Sequence, residues 1–248
     1  MTVLVLGSPK SGTSVTAGIV NRLGISMGPD LRLPDARNPR GYFEDVAWNA
    51  LHDDMLAAAG GGPWQLPDAD ALDAVAPGFA ERIEALVAER PVDTEWGVKV
   101  GPSVLRHVIP FVPAPRLVLV ARNPLQTARS AMHHTESRAD RLDLPAALAH
   151  GAQTYAQCLD AIASTPEAPL HVFAYETLLA EPDEQVAALS SFLGSGDDDA
   201  RADAAALVAS SSQIRSEKAS AKVSAERRGS AARVARRGRA AVRRLMPA

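Results

Sequence analysis

Thr2-Val3-Leu4-Val5-Leu6-Gly7-Ser8-Pro9-Lys10-Ser11-Gly12-Thr13-Ser14 joins a short apolar run to a loop that carries two glycines, a lysine and several hydroxyls. The run is β-branched, and Gly7-Ser8-Pro9 bounds it, as expected of a strand buried on both faces of a parallel sheet. From Thr13 to Leu23 the spacing turns helical. A strand, a glycine-bearing loop and a helix in that order bring backbone N–H groups together at a helix N-terminus, which makes an anion site.

Outward from this segment the same alternation repeats. Trp96 to Val100, Arg116 to Ala121 and Leu170 to Ala174 read as further buried strands. Helical spacing runs through Ala47 to Ala59, Pro77 to Ala88, Pro102 to Phe111, Leu125 to His134 and Pro145 to Ala163. The predicted fold class is α/β, a parallel sheet of about four to five strands flanked by helices. Residues 28–43 hold three prolines, three arginines and two glycines, and read as a long loop leading into a helix at about Glu44. Gly60-Gly61-Gly62-Pro63 marks a second joint, expected to be flexible. No repeat of solenoid length is visible.

The chain has 248 residues, 46% hydrophobic and 22% charged, which is the composition of a globular protein with a real core. A single cysteine, Cys158, cannot form an intrachain bridge and reads as a buried small hydrophobe. No run of about 18 apolar residues exists, and the N-terminal run is too short for a secretion signal. The expectation is a cytoplasmic protein without a transmembrane segment. The net charge of −3 conceals an asymmetry: residues 214–248 carry +9 and residues 1–213 carry −12. The division expected is a catalytic or binding domain over 1–213 and a basic C-terminal segment over 214–248, acting as a lid or partly disordered. Within that segment, Arg233 to Leu245 can be drawn as a basic helix.

Gly7 and Gly12 keep the glycine spacing of a Walker A loop, but Thr13 stands where an NTPase requires lysine. The lysine, Lys10, lies inside the loop, where it approaches the leaving-group side of a bound phosphate. Ser8-Pro9-Lys10-Ser11-Gly12-Thr13-Ser14 resembles the 5′-phosphosulfate loop of sulfotransferases that use 3′-phosphoadenosine 5′-phosphosulfate (PAPS). In that family a later strand ends in an Arg, with a Ser eight residues on, and both hold the nucleotide's 3′-phosphate. Arg122, after Leu117-Val118-Leu119-Val120-Ala121, and Ser130 have that spacing. Asn38-Pro39-Arg40-Gly41-Tyr42-Phe43-Glu44 is similar to a stretch found in many bacterial members. Tyr175-Glu176-Thr177-Leu178, continuing through Pro182 to Ser191-Phe192-Leu193-Gly194, resembles the end of the family's fold.

The resemblance implies a P-loop-like sulfotransferase architecture of the bacterial branch, PAPS as donor, PAP as product, no metal, and a small-molecule, carbohydrate or lipid hydroxyl as acceptor. It assigns the donor to Pro9, Lys10, Ser11, Gly12, Thr13, Ser14, Arg122 and Ser130. A basic stretch that caps the 3′-phosphate in cytosolic relatives has a faint echo in Arg227-Arg228-Gly229, so part of Ile214 to Gly229 is expected to serve there. Nucleic acid is not an expected partner, and oligomeric state is left open. Two features depart from the cytosolic animal enzymes. Val15 stands where a Trp stacks on adenine, and Lys99-Val100-Gly101-Pro102 lacks the His that those enzymes use as base.

Sulfuryl transfer needs a cation at the leaving oxygen and a base at the acceptor. Lys10 is the candidate cation. Glu44 is the candidate base, with Tyr42-Phe43 expected to lower the local polarity and raise its pKa; a plain helix N-terminal acid is the other reading. Lys99, at a strand end, either touches the transferring group or is a surface lysine. Of the adjacent His133 and His134, at most one points inward, because neighbours on a helix face different ways. His52, eight residues from Glu44, shares its helical side. Each histidine reads more readily as ordinary than as catalytic. Two other functions compete: a divergent P-loop kinase, opposed by Thr13, and a non-enzymatic binder of anions or nucleic acid that uses the basic tail.

Overall fold

The computed structural model describes residues 1–35, 38–91, 94–136 and 140–209. Strand β1 (Thr2–Leu6) is buried at every position, which is why it reads as an unbroken apolar run rather than an alternation. Its side chains divide between two cores. Val3 and Val5 pack with Ile19, Val20 and Phe173 on one face; Leu4 and Leu6 pack with Trp48, Leu51, Met55 and Val98 on the other.

Among the described residues β1 lies inside a four-stranded sheet with β2 (Trp96–Lys99), β3 (Pro115–Ala121) and β4 (Leu170–Ala174), in the order β2-β1-β3-β4. All pairings are parallel, with Leu4 opposite Val98 on one side and Leu117 on the other. The chain leaves β1 towards β2 and leaves β3 towards β4. The crevice between the C-terminal ends of β1 and β3 is therefore a topological switch point, the place where open α/β sheets bind ligands.

The helices are α1 (Thr13–Arg22), α2 (Val46–Ala58), α3 (Ala69–Val75), α4 (Ala80–Ala88), α5 (Leu105–Val108), α6 (Pro124–Thr135), α7 (Leu144–Ala163), α8 (Tyr175–Ala180) and α9 (Pro182–Leu193), with further helical residues at 198–209. Two expected helices are broken up. Over Pro77 to Ala88 the chain forms a 3₁₀ turn, Ala76–Phe79, before α4, because Pro77 lacks the N–H that a continuous helix needs. Over Pro102 to Phe111, α5 is flanked by 3₁₀ turns that hold Pro102 and Pro110. The helices α3, α8, α9 and 198–209 were not expected.

The long loop at 28–43 returns onto the start of α2. Arg32 N–H donates to Glu44 O at 2.8 Å and Val46 N–H to Asp30 O at 2.9 Å. At residues 60–65 the expected flexible joint is a hydrogen-bonded turn, with Gly61 N–H donating to Leu56 O and Gly62 N–H to Gln65 O, each at 2.8 Å. Met1–Val208 make one compact unit. The expectations for residues 214–248, including Arg227, Arg228, Gly229 and the helix drawn over Arg233 to Leu245, fall outside the described residues. Among the described residues no helix is long and apolar enough to cross a membrane, and no cluster of His, Cys, Asp and Glu could hold a metal ion.

Candidate active site

The loop between β1 and α1 closes on itself through Ser11 N–H donating to Ser8 O at 3.0 Å, and it is tied to α7 by Thr154 Oγ1 donating to Ser8 Oγ at 2.8 Å. Gly12 is the N-cap of α1 at φ 117°, and no side chain caps the helix. Its first-turn N–H groups are thus directed to the loop, the arrangement that favours an anion. A Cβ on Gly12 would come within 2.3 Å of the Tyr175 ring, and one on Gly7 within 2.8 Å of Val120 O. Glycine at both positions lets the loop lie directly against its neighbours. Ser8 and Ser11 are buried.

Lys10 has φ 71°, a left-handed conformation that a non-glycine residue adopts only when its surroundings hold it. Two contacts do so. At the backbone, Arg122 Nη1, from the end of β3, donates to Lys10 O at 2.8 Å. At the tip, Lys10 Nζ donates to His134 Nδ1, on α6, at 2.9 Å. Arg122 also lies over the Tyr175 ring, 4.9 Å from its centroid, and its N–H donates to Tyr155 Oη at 3.0 Å. Burial pushes the Tyr155 phenol up, while Ser11 and the Arg122 N–H pull it down; the net shift is upward, so the phenol stays neutral. Arg40 approaches the same region: burial lowers its pKa, and Tyr175 raises it.

Asn123, the N-cap of α6, accepts from Leu125 and Gln126 N–H and so fixes the helix start after Arg122. Ser130, partly buried, lies one turn before His134 on α6, and therefore on the side of the helix that faces Lys10.

A second group forms at the other end of α1's first turn. Lys99 Nζ pairs with Glu44 Oε1 and donates to Ser14 Oγ at 3.1 Å. Glu44 Oε2 accepts from Asn49 Nδ2 at 2.9 Å and lies 3.5 Å from Arg32 Nη1. Burial pushes the Glu44 carboxyl up, but Lys99, Asn49 and Arg32 together hold it below its ordinary value. The shift expected from Tyr42-Phe43 is thus reversed by cations that the sequence does not place beside Glu44.

The structure therefore joins Lys10 to Arg122, and Glu44 to Lys99 and Ser14, with Pro9, Ser11, Gly12 and Thr13 in the intervening loop and first turn. Of the histidine pair, His134 points inward, whereas His133 is largely exposed beside Glu136. His52 packs its ring over Gly101, where an added Cβ would meet Nε2 at 2.2 Å. Cys158 is buried, and desolvation pushes its thiol up to about 12, which fits a packing role. Thr154, Tyr155 and Tyr175 were missed as parts of the site. Tyr175 stood in a quoted motif, but nothing local marks Thr154 or Tyr155.

A family model described as "Sulfotransferase family" matches residues 2–199. The solved sulfotransferase domain from the curacin biosynthetic pathway is similar in fold, at 15% identity and a TM-score of 0.50, over 80% of this chain and 75% of that one. The sulfotransferase domain of the Synechococcus PCC 7002 olefin synthase matches at 16% identity and a TM-score of 0.49, over 81% of this chain and 75% of that one. A mouse sulfotransferase complexed with PAP matches at 14% identity and a TM-score of 0.46, over 84% of this chain and 64% of that one. Among curated proteins nothing matches.

Proposed function

Given that the chain belongs to the sulfotransferase family, we propose that it moves a sulfuryl group from PAPS to a hydroxyl of a small molecule, carbohydrate or lipid. The observation that carries this reading is Lys10: a cation inside the loop at the β1/β3 switch point, held by Arg122 at its carbonyl and by His134 at its ammonium. The residues present suit the donor. The uncapped N-terminus of α1 offers N–H groups to a 5′-phosphosulfate, and glycine at positions 7 and 12 lets the loop pack directly on Val120 O and the Tyr175 ring. Arg122 and Ser130 would hold the 3′-phosphate, and Arg227, Arg228 and Gly229 are proposed to add to it.

PAPS supplies an activated sulfuryl group whose sulfur–oxygen bond breaks as the acceptor oxygen bonds to sulfur. Lys10 compensates the negative charge that gathers on the departing phosphate oxygen. Glu44 takes the acceptor's hydroxyl proton; its cation partners keep it ionised and able to accept, at the cost of basicity. Lys99, between Glu44 and Ser14, orients the base and faces the transferring group. No metal enters this scheme.

PAP is expected to raise the melting temperature in the absence of magnesium, and Lys10→Ala is expected to abolish transfer of labelled sulfate from PAPS to a panel of sugars, lipids and phenols. No thermal shift at millimolar PAP would overturn the donor assignment.

A further inference from the structure

The contact between Lys10 and His134 joins residues 124 positions apart, and it ends in an aromatic stack. Trp64 lies 5.5 Å from the His134 ring centroid at 45°, and 5.2 Å from that of His150 at 31°. His150 Nε2 pairs with Pro63 O at 2.9 Å, and the turn that carries Pro63 and Trp64 is closed by the bonds between Gly62 and Gln65. Burial holds the His150 pKa down, against a smaller upward pull from Pro63 O, so a neutral ring donates its Nε2 proton to that carbonyl. Trp64 also packs on Ala128, Ala131 and Ala147 of α6 and α7. His134 is thus backed by an ordered chain of rings that runs from the 60–65 turn to the loop.

An ammonium only donates, so Nδ1 of His134 is its acceptor, and the ring proton of the neutral imidazole resides on Nε2. From this geometry we infer that His134 is a positioning residue for the sulfuryl-transfer lysine, fixing Lys10 Nζ, with Trp64 and His150 holding the imidazole in register. Lysine has a flexible stem with several rotatable bonds, and its charge aids a reaction only when held close to the oxygen that gains charge. Arg122 fixes the backbone end of Lys10, and His134 fixes the other. The inference rests on the function proposed above, because Lys10 acts there on the leaving oxygen.

The test has one arm that needs no donor. Imidazole nitrogen NMR of the full chain is expected to show His134 with an unprotonated, hydrogen-bonded Nδ1, and Lys10→Met is expected to change that signature. In the second arm, release of PAP from PAPS is followed with para-nitrophenol as acceptor. His134→Ala is expected to lower kcat by about 10- to 100-fold with little change in KM for PAPS. His134→Asn, whose Oδ1 falls near the place of Nδ1, is expected to recover most of that loss. His134→Gln, whose acceptor lies one bond further out, is not. Trp64→Ala is expected to fall between wild type and His134→Ala.

Identical His134 signals in wild type and Lys10→Met, or an unchanged kcat for a His134→Ala protein that binds PAP normally, would overturn the inference. Coupled signals in a protein that never turns over PAPS would instead support the contact and overturn the proposed reaction.

Discussion

Gly12 shows how much one residue decides here. Its φ of 117° and the Tyr175 ring 2.3 Å from where a Cβ would stand leave no room for alanine. Gly12→Ala is expected to destabilise the protein by about 2 kcal/mol or more and to weaken PAP binding, because the ring beneath Arg122 must shift; a urea melt and calorimetric titration would measure both. Glu44 makes a prediction in pH. Its folded pKa lies below the ordinary carboxylate value of 4.5, so its ion pairs stabilise the fold above that value and lose their effect as pH falls through the lower folded value. The stability gap between wild type and Glu44→Gln is expected to be largest above pH 4.5 and to close in acid. A gap that stays constant across a pH series of urea midpoints would refute that account. The lysine and glycines of the loop were legible from sequence, because a tight anion-binding turn demands those types. His134 was not separable from His133, because only helix phase against a distant loop tells them apart.

At the scale of elements, the start of α2 fixes the position of Glu44, the proposed base. Asp45 caps the helix, accepting from Ala47 N–H at 2.9 Å and Trp48 N–H at 3.2 Å, and pairs with the buried Arg90 at 2.8 Å. Arg90 in turn lies 5.4 Å from the centre of the Trp96 ring, at the start of β2. This one carboxylate therefore connects the 28–43 loop, α2 and the sheet. Asp45→Ala removes the cap and leaves a buried guanidinium without its counter-charge, at an expected cost of about 3–5 kcal/mol. Asp45→Asn keeps a cap acceptor and is expected to cost less; equal losses in chemical denaturation would show that the cap adds nothing and that the whole loss comes from the ion pair. The sequence placed this helix within two residues but put its beginning at Glu44, which is instead the last residue of the loop and belongs to the Lys99 group. The helices α8 and α9 lie outside the expected helical runs because Pro182 divides the stretch into a six-residue and a twelve-residue helix, so no long unbroken helical period marks it.

Across the whole molecule, the two cores on either side of the sheet lie within Met1–Val208. A chain ended at Gln213 is accordingly expected to unfold in the same cooperative transition. If Arg227, Arg228 and Gly229 cap the 3′-phosphate, that chain binds PAP about 10-fold more weakly, the loss of one charge-assisted contact. Unchanged affinity in a titration would assign the +9 segment to another task. By itself the sequence determined the α/β class, the positions of the four strands and the loop, because apolar runs bounded by turn residues mark strands and a phosphate-type turn is written in glycine. It also singled out Lys10 and Arg122. Strand β4, expected as a buried strand, is instead an edge strand with Leu170 and Val172 exposed, since among the described residues no fifth strand or helix covers that face. Tertiary structure alone decided that Arg122 grips the Lys10 carbonyl, that Lys99 and Arg32 keep Glu44 ionised, and that His134, not His133, meets the lysine. Those are contacts between side chains far apart in the chain, and no local pattern encodes the direction from which a partner arrives once the sheet has closed.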